Sequence, residues 1–258
     1  MAADFFSPLA PKEVPALYLD LMKRCLLNGI YPESESGLRA GSTWDYRQQL
    51  EGESWPRYAH TMVGLKRLEN VQHCVETVLR DAIPGDLLEA GVWRGGVTIF
   101  MRALLKAYGV ADRCVWVADS FQGLPPPNRD KYPADWGSRL HEYPELAVSL
   151  ERVQGNFARY GLLDDQVRFL DGWFRDTLPG AAIRRLAVLR LDGDLYESTM
   201  DTLVPLYPKL SVGGFVIIDD YGRIAANRQA VLDYRDAHGI RDELIRIDRR
   251  GAYWRRTA

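Results

Sequence analysis

Two groups of aspartates close apolar, strand-like runs: Leu186-Ala-Val-Leu-Arg-Leu-Asp192-Gly-Asp194 and Gly213-Gly-Phe-Val-Ile-Ile-Asp219-Asp220-Tyr221. Nearly continuous apolar strands are typical of parallel sheets covered on both faces by helices. Ligands gather at the carboxyl ends of such strands. If these two strands are neighbours, four carboxylates meet at one edge and repel unless a cation or protons intervene. An oxygen-only donor set of this kind favours a hard divalent ion such as Mg2+. The same aspartates would also serve as helix N-caps or solvated loop residues. Asp192 and Asp194 are two residues apart, so in extended chain both side chains face the same way. One can then ligate while the other accepts a proton; the spacing leaves open which does which.

A second constellation surrounds a glycine-rich turn, Leu87-Leu-Glu89-Ala-Gly91-Val-Trp-Arg-Gly95-Gly96. Glycines there let the backbone turn tightly and approach a ligand closely. The G-x-x-x-G-G spacing departs from the dinucleotide fingerprint. Glu89 would repel a pyrophosphate but not an ammonium or a sulfonium. Asp119 ends the next run, Cys114-Val-Trp-Val-Ala-Asp119-Ser120, where a carboxylate can bind both hydroxyls of a ribose. Together these residues point to an adenosine-containing cofactor. Asp171-Gly172-Trp173, after a third run, could flank the adenine by hydrogen bonding and stacking, although Trp173 equally suits ordinary packing.

The elements that must carry these residues alternate. Strands are predicted at 86–90, 114–118, 167–170, 186–191 and 215–218, and helices at 99–108, 146–160, 200–210 and 227–238. This alternation predicts an α/β fold with a doubly wound, mostly parallel, Rossmann-like sheet. Two helices, at 14–30 and 62–81, precede it. Residues 243–248 and 252–255 read as a C-terminal antiparallel hairpin joined by Arg249-Arg250-Gly251. Residues 32–56 show little periodicity, and 122–142 form a Pro-, Tyr- and Trp-containing insertion. The expected organisation is an N-terminal helical or lid extension over 1–61, then a catalytic domain over 62–258 with a lid at about 122–145.

With 258 residues, a net charge of -2 and no Lys/Arg-rich run, the chain carries no electrostatic footprint for nucleic acid or an anionic membrane. Three cysteines, Cys25, Cys74 and Cys114, lack CxxC pairing. That disfavours both a disulfide framework and a zinc site and suits a reducing cytoplasm. No signal peptide or membrane span is read from the sequence, so a cytoplasmic enzyme acting on a small molecule is expected. The amphipathic N-terminal helix and the aromatic residues permit a homo-oligomer such as a dimer without requiring one.

Leu88-Glu-Ala-Gly-Val-Trp-Arg-Gly-Gly96, Trp116-Val-Ala-Asp-Ser-Phe-Gln-Gly-Leu-Pro125, Leu191-Asp-Gly-Asp-Leu-Tyr-Glu-Ser198 and Ile217-Ile-Asp-Asp-Tyr221 resemble the macrocin O-methyltransferase family. Tyr132-Pro-Ala-Asp and Tyr143-Pro-Glu-Leu-Ala-Val-Ser-Leu look most similar to its noviose methyltransferase branch. The resemblance runs from the helix near residue 15 to Tyr253-Trp254-Arg255. It implies a class I methyltransferase fold and Mg2+-dependent methylation of antibiotic deoxysugars by S-adenosylmethionine. It also implies that Asp192, Asp219 and Asp220 hold the metal and that Asp194 is the general base. Cofactor contacts would fall on Glu89, Gly91, Gly95, Asp119, Ser120, Asp171, Gly172 and Trp173, with Asp192 shared with the metal, and on Thr61 and Met62 near the methionine portion.

His141, within the insertion, is a rival base, since imidazole suits proton transfer near neutral pH. A water-excluding lid residue or a surface histidine is the plainer account of it. Tyr132, Trp136 and Tyr143 could form an aromatic floor for the acceptor or simply pack on one another. Among competing activities, a catechol-type Mg2+ methyltransferase would share fold, cofactor and carboxylates. A nicotinamide oxidoreductase is disfavoured by the glycine spacing, and a non-catalytic binding protein by retention of all four aspartates.

Overall fold

Seven strands form one sheet in the computed structural model, which describes residues 14–32, 35–38 and 44–258. The helices are α1 (Val14–Leu26), α2 (Tyr46–Leu50), α3 (Leu65–Arg80), α4 (Gly96–Ala107), α5 (Leu150–Arg159), α6 (Phe174–Thr177), α7 (Tyr196–Leu206) and α8 (Ala225–Ala237). The strands are β1 (Asp86–Ala90), β2 (Val115–Asp119), β3 (Val167–Asp171), β4 (Leu186–Leu191), β5 (Leu210–Ile218), β6 (Ile245–Arg246) and β7 (Ala252–Arg255). Their order across the sheet is β3-β2-β1-β4-β5-β7-β6. The first five are parallel, and β7 runs antiparallel to both β5 and β6. This is the mostly parallel sheet with a C-terminal antiparallel hairpin that the alternation predicts. The chain leaves from β1 towards β3 and resumes with β4 on the other side of β1. That reversal opens a crevice at the carboxyl ends of β1 and β4.

Side chains of each strand alternate between two packed layers. Leu87, Val117, Phe215 and Ile217 join one cluster with Leu68, Val71 and Val75 of α3 and Phe100 and Leu104 of α4. Leu88, Leu189, Val216 and Ile218 join the other with Leu203 and Leu206 of α7, Val231 and Tyr234 of α8, and Trp254. Leu19, Met22 and Leu26 of α1 belong to the first cluster, so this helix is part of the core. Burial of a single leucine side chain contributes about 1.5–3 kcal/mol, which makes these two layers the main source of stability.

Several element ends differ from the periodicity reading. α7 starts at Tyr196 rather than 200 because its N-terminus is capped from a distant residue, Asp135. β5 starts at Leu210 rather than 215, its register against β4 breaking between Leu210 and Phe215, where Gly213 takes φ +87°. The first tail strand shrinks to two residues because the Asp248 carboxylate accepts from the Arg250 and Gly251 amides and folds that stretch into the turn. Within 32–56, α2 is held by an Asp45 cap accepting from the Gln48 amide at 2.9 Å. The insertion is built of short 3-10 turns at Pro133–Asp135, Leu140–Glu142 and Pro144–Leu146. Among the described residues no helix is long and apolar enough to cross a membrane.

Candidate active site

Backbone hydrogen bonds extend the sheet one residue past its strands. The Gly91 amide donates to Ala118, Asp192 to Ala90, Asp219 to Leu191 and Gly172 to Asp119, all at 2.8–3.0 Å. The register therefore lines up the glycine turn and the acidic residues along a single edge. Gly91 has φ +89°, and a Cβ there would lie 2.0 Å from the Asp192 carbonyl oxygen. Only glycine lets the turn after β1 lie this close to the turn after β4.

A cavity of about 750 Å³ opens above this edge, with Met62, Gly91, Asp119, Ser120, Trp173, Asp192 and Asp194 among its lining. Asp119 Oδ2 accepts from the Val92 amide and Oδ1 from the Phe121 amide, both at 2.8 Å. Burial pushes its carboxyl above the usual range, against the pull of the backbone amides of Val92, Phe121, Trp93 and Ser120. Ser120 is buried and donates to the Gly123 carbonyl at 2.7 Å. Gly172 and the exposed Asp171 stand at the end of β3 outside the lining, while Gly95 takes φ +83° as the N-cap of α4.

A second cavity, about 1480 Å³ and open to solvent, shares Met62, Trp93, Leu146, Asp192 and Asp194 with the first. Thr61, Glu89, Asp219, Asp220, Trp55 and Tyr143 also line it. At the shared wall, carboxylate oxygens of Asp192, Asp194 and Asp220 all lie within 4.8 Å of one another. Burial and then the neighbouring carboxylates drive Asp192 and Asp194 well above their usual pKa range. Asp220 is raised for the same reasons, burial first and then Asp219. Asp194 reaches the cluster through a left-handed turn at φ +60°, not through the extended chain its spacing suggests. Three converging oxygen donors fit a hard divalent cation.

The family model for macrocin O-methyltransferase (TylF) matches residues 35–256. The chain belongs to this family. It is 57% identical over 255 residues to mycinamicin III 3''-O-methyltransferase of Micromonospora griseorubida, covering 97% of this chain and all of that protein. It is 60% identical to the 8-demethyl-8-(2,3-dimethoxy-alpha-L-rhamnosyl)-tetracenomycin-C 4'-O-methyltransferase of Streptomyces olivaceus, covering 94% of this chain and 93% of that one. The solved structure of the O-methyltransferase NovP superposes with a TM-score of 0.90 at 54% identity, over 95% of this chain and all of NovP. A calicheamicin methyltransferase, CalS11, shares the fold at 19% identity and a TM-score of 0.60.

In this methyltransferase the fourth aspartate is set apart from the cluster. Arg67 and Arg190 each donate to one oxygen of Asp219. Burial raises the Asp219 carboxyl, but the two guanidinium groups outweigh it and hold the net shift downward. Arg190 also donates to Glu89 and, at 3.1 Å, to Asp192. Glu89 is pushed up to about 7, burial exceeding the effect of Arg190, and its Oε2 is buried without a partner. The sequence pattern marks neither arginine as a site residue. Arg190 did carry a signal, since a lone cation inside a strand buried on both faces must be paired.

His141 sits on the turn Leu140–Glu142 and lines neither cavity, whereas its neighbours Leu140 and Tyr143 line the second. Of Tyr132, Trp136 and Tyr143, only Tyr143 lines either of these two cavities, edge-on to Trp55 at 5.4 Å. Tyr132 packs on Tyr196 at 5.8 Å, and Trp136 is 60% exposed. His60 turns away from the crevice, with Nδ1 2.7 Å from the Tyr160 hydroxyl.

Proposed function

We propose that the enzyme transfers the methyl group of S-adenosylmethionine to a deoxysugar hydroxyl of a glycosylated secondary metabolite, with Mg2+ assisting. The observation that carries this reading is the close grouping of Asp192, Asp194 and Asp220 at the wall between two cavities. The smaller cavity has the residues for the methyl donor: Asp119 for the ribose diol, Trp173 for the adenine and Met62 for the methionine end. The larger is suited to a bulky glycoside, with Trp55 and Tyr143 at its side.

Asp192 and Asp220 would hold the ion; Asp219, which the family resemblance also implies, would reach it only by giving up one of its arginine contacts. When bound, Mg2+ supplies Lewis acidity that lowers the pKa of a chelated sugar hydroxyl and fixes its direction. Asp194 faces both cavities and is placed to take the hydroxyl proton. The acceptor oxygen then forms a bond to the methyl carbon as the carbon–sulfur bond breaks, leaving S-adenosylhomocysteine and a protonated Asp194. Alignment of oxygen, carbon and sulfur is the main requirement, because sulfonium is already a good leaving group.

The test is methyl transfer to a panel of rhamnosyl, noviosyl and macrolide glycosides and to catechol, with and without Mg2+, in wild type and Asp194→Asn. The expected result is Mg2+-dependent turnover on glycosides carrying a vicinal diol. In Asp194→Asn the rate should fall by about 100-fold or more, with S-adenosylhomocysteine still bound. Turnover confined to catechol, or full activity in chelator, would refute this reading.

A further inference from the structure

α7 begins immediately after the Asp192-Gly193-Asp194 turn, and its own N-cap, Leu195, offers no side-chain acceptor. The missing acceptor comes from the insertion, some 60 residues earlier in the chain. Asp135 Oδ1 accepts from the Tyr196 amide at 2.6 Å and Oδ2 from the Glu197 amide at 3.1 Å. Asp135 is 1% exposed, and the neighbouring Tyr132 ring packs on Tyr196. The far end of the insertion is tied to the glycine turn, where Trp93 Nε1 donates to the Glu145 carbonyl at 3.0 Å.

The first turn of α7 in turn supports the aspartate turn. A Cβ added at Gly193 would lie 2.9 Å from Ser198 Cβ, so the two segments are in close contact. Asp194 holds a left-handed backbone, φ +60°, which a residue with a Cβ keeps only when its surroundings enforce it.

We propose that Asp135 is a positioning residue: by capping α7 from the insertion, it docks the insertion over the site and holds the turn that carries Asp194. The carboxylate serves two first-turn amides that have no partner within the helix, and its positive end, at once. Undocking the insertion therefore also loosens the segment bearing the base. This extends the reading of Asp194 as the base, but the docking itself does not depend on that reading.

The experiment compares wild type, Asp135→Asn and Asp135→Ala by limited trypsin digestion at low temperature and by steady-state kinetics. Lys131 and Arg139, both exposed, flank Asp135 and report opening of the insertion. Loss of the cap should raise cleavage there about tenfold in Asp135→Ala, with the rest of the chain still resistant. kcat should fall about tenfold while affinity for S-adenosylhomocysteine holds, as expected when a reacting group is misplaced rather than a ligand lost. Asp135→Asn keeps one acceptor oxygen and should lie between the two.

Unchanged cleavage in Asp135→Ala would overturn the docking role. Faster cleavage with unchanged kcat would overturn the link to Asp194. If Asp135→Ala does not fold, the same two outcomes in Asp135→Asn decide the matter. If wild type methylates no glycoside, the functional reading fails, and the digestion result still decides the docking.

Discussion

Replacing His60 with asparagine should make the protein less sensitive to acid. His60 lies between the N-terminal segment and α5, and Nδ1 meets the Tyr160 hydroxyl. Burial is the largest influence on its imidazole, followed by Arg94, Arg159 and Arg152, with Glu35 pulling weakly the other way, and the pKa falls to about 4. Tyr160 is raised, chiefly by burial, and stays a neutral phenol. In the unfolded chain the same group titrates near ~6.5. Below that pH the unfolded state binds a proton that the folded state refuses, so stability present at pH 7 is lost as the pH falls towards 4. Between pH 7 and pH 5 the loss from this one group is about 2 kcal/mol, approaching ~3 kcal/mol at pH 4. Asparagine places a polar atom where Nδ1 stands and carries no proton-binding site in this range. Urea denaturation at both pH values should give a difference for wild type larger than that for His60→Asn by that amount. Equal pH dependence in the two proteins, or an imidazole resonance titrating near its unperturbed value in the native state, would refute this account.

Two further outcomes follow from close contacts at the sheet edge. Gly91→Ala must move either the glycine turn or the Asp192 carbonyl, so a loss of about 3 kcal/mol or more is expected in urea denaturation. Calorimetric titration should show weakened S-adenosylhomocysteine binding in the same variant. Arg190→Met leaves Glu89 and Asp219 buried beside each other with one guanidinium fewer and should cost about 3–5 kcal/mol in metal-free protein. Adding Glu89→Gln should recover part of that loss, and failure to do so would show that Arg190 acts by packing alone.

Much of the frame is legible in the chain because the strands buried on both faces leave continuous apolar runs. Leu186–Leu191 reads directly, whereas the reversal that brings Gly91, Asp119 and Asp192 to one edge appears only in the strand order. What escapes is set by partners distant in sequence. The start of α7 carries no local capping signal because its cap is Asp135. The grouping of Asp192 with Asp194 is right in outcome and wrong in cause, since a left-handed turn rather than an extended pair brings them together. The separation of Asp219 from the other acids depends on Arg67, which the helical pattern of α3 presents as one more polar position among Leu65, Leu68 and Val71. The aromatic residues of the insertion look alike in sequence, but Tyr143 faces a cavity and Trp136 faces solvent.

The place of β7 inside the sheet has a consequence during synthesis. β5 pairs with β4 on one side and with β7 on the other, and β7 follows it by about 37 residues. At roughly 5–20 residues per second, several seconds pass between translation of the two strands. Until β7 docks, Phe215–Ile218 present an unpaired apolar edge, the kind of surface on which nascent chains stick to one another. α8 is made within the same window and packs Val231 and Tyr234 over the face of β5, but it cannot satisfy the edge itself. Yield of soluble protein should therefore depend on how promptly the last strand arrives, and changes to Ala252–Arg255 should show first as aggregation during expression.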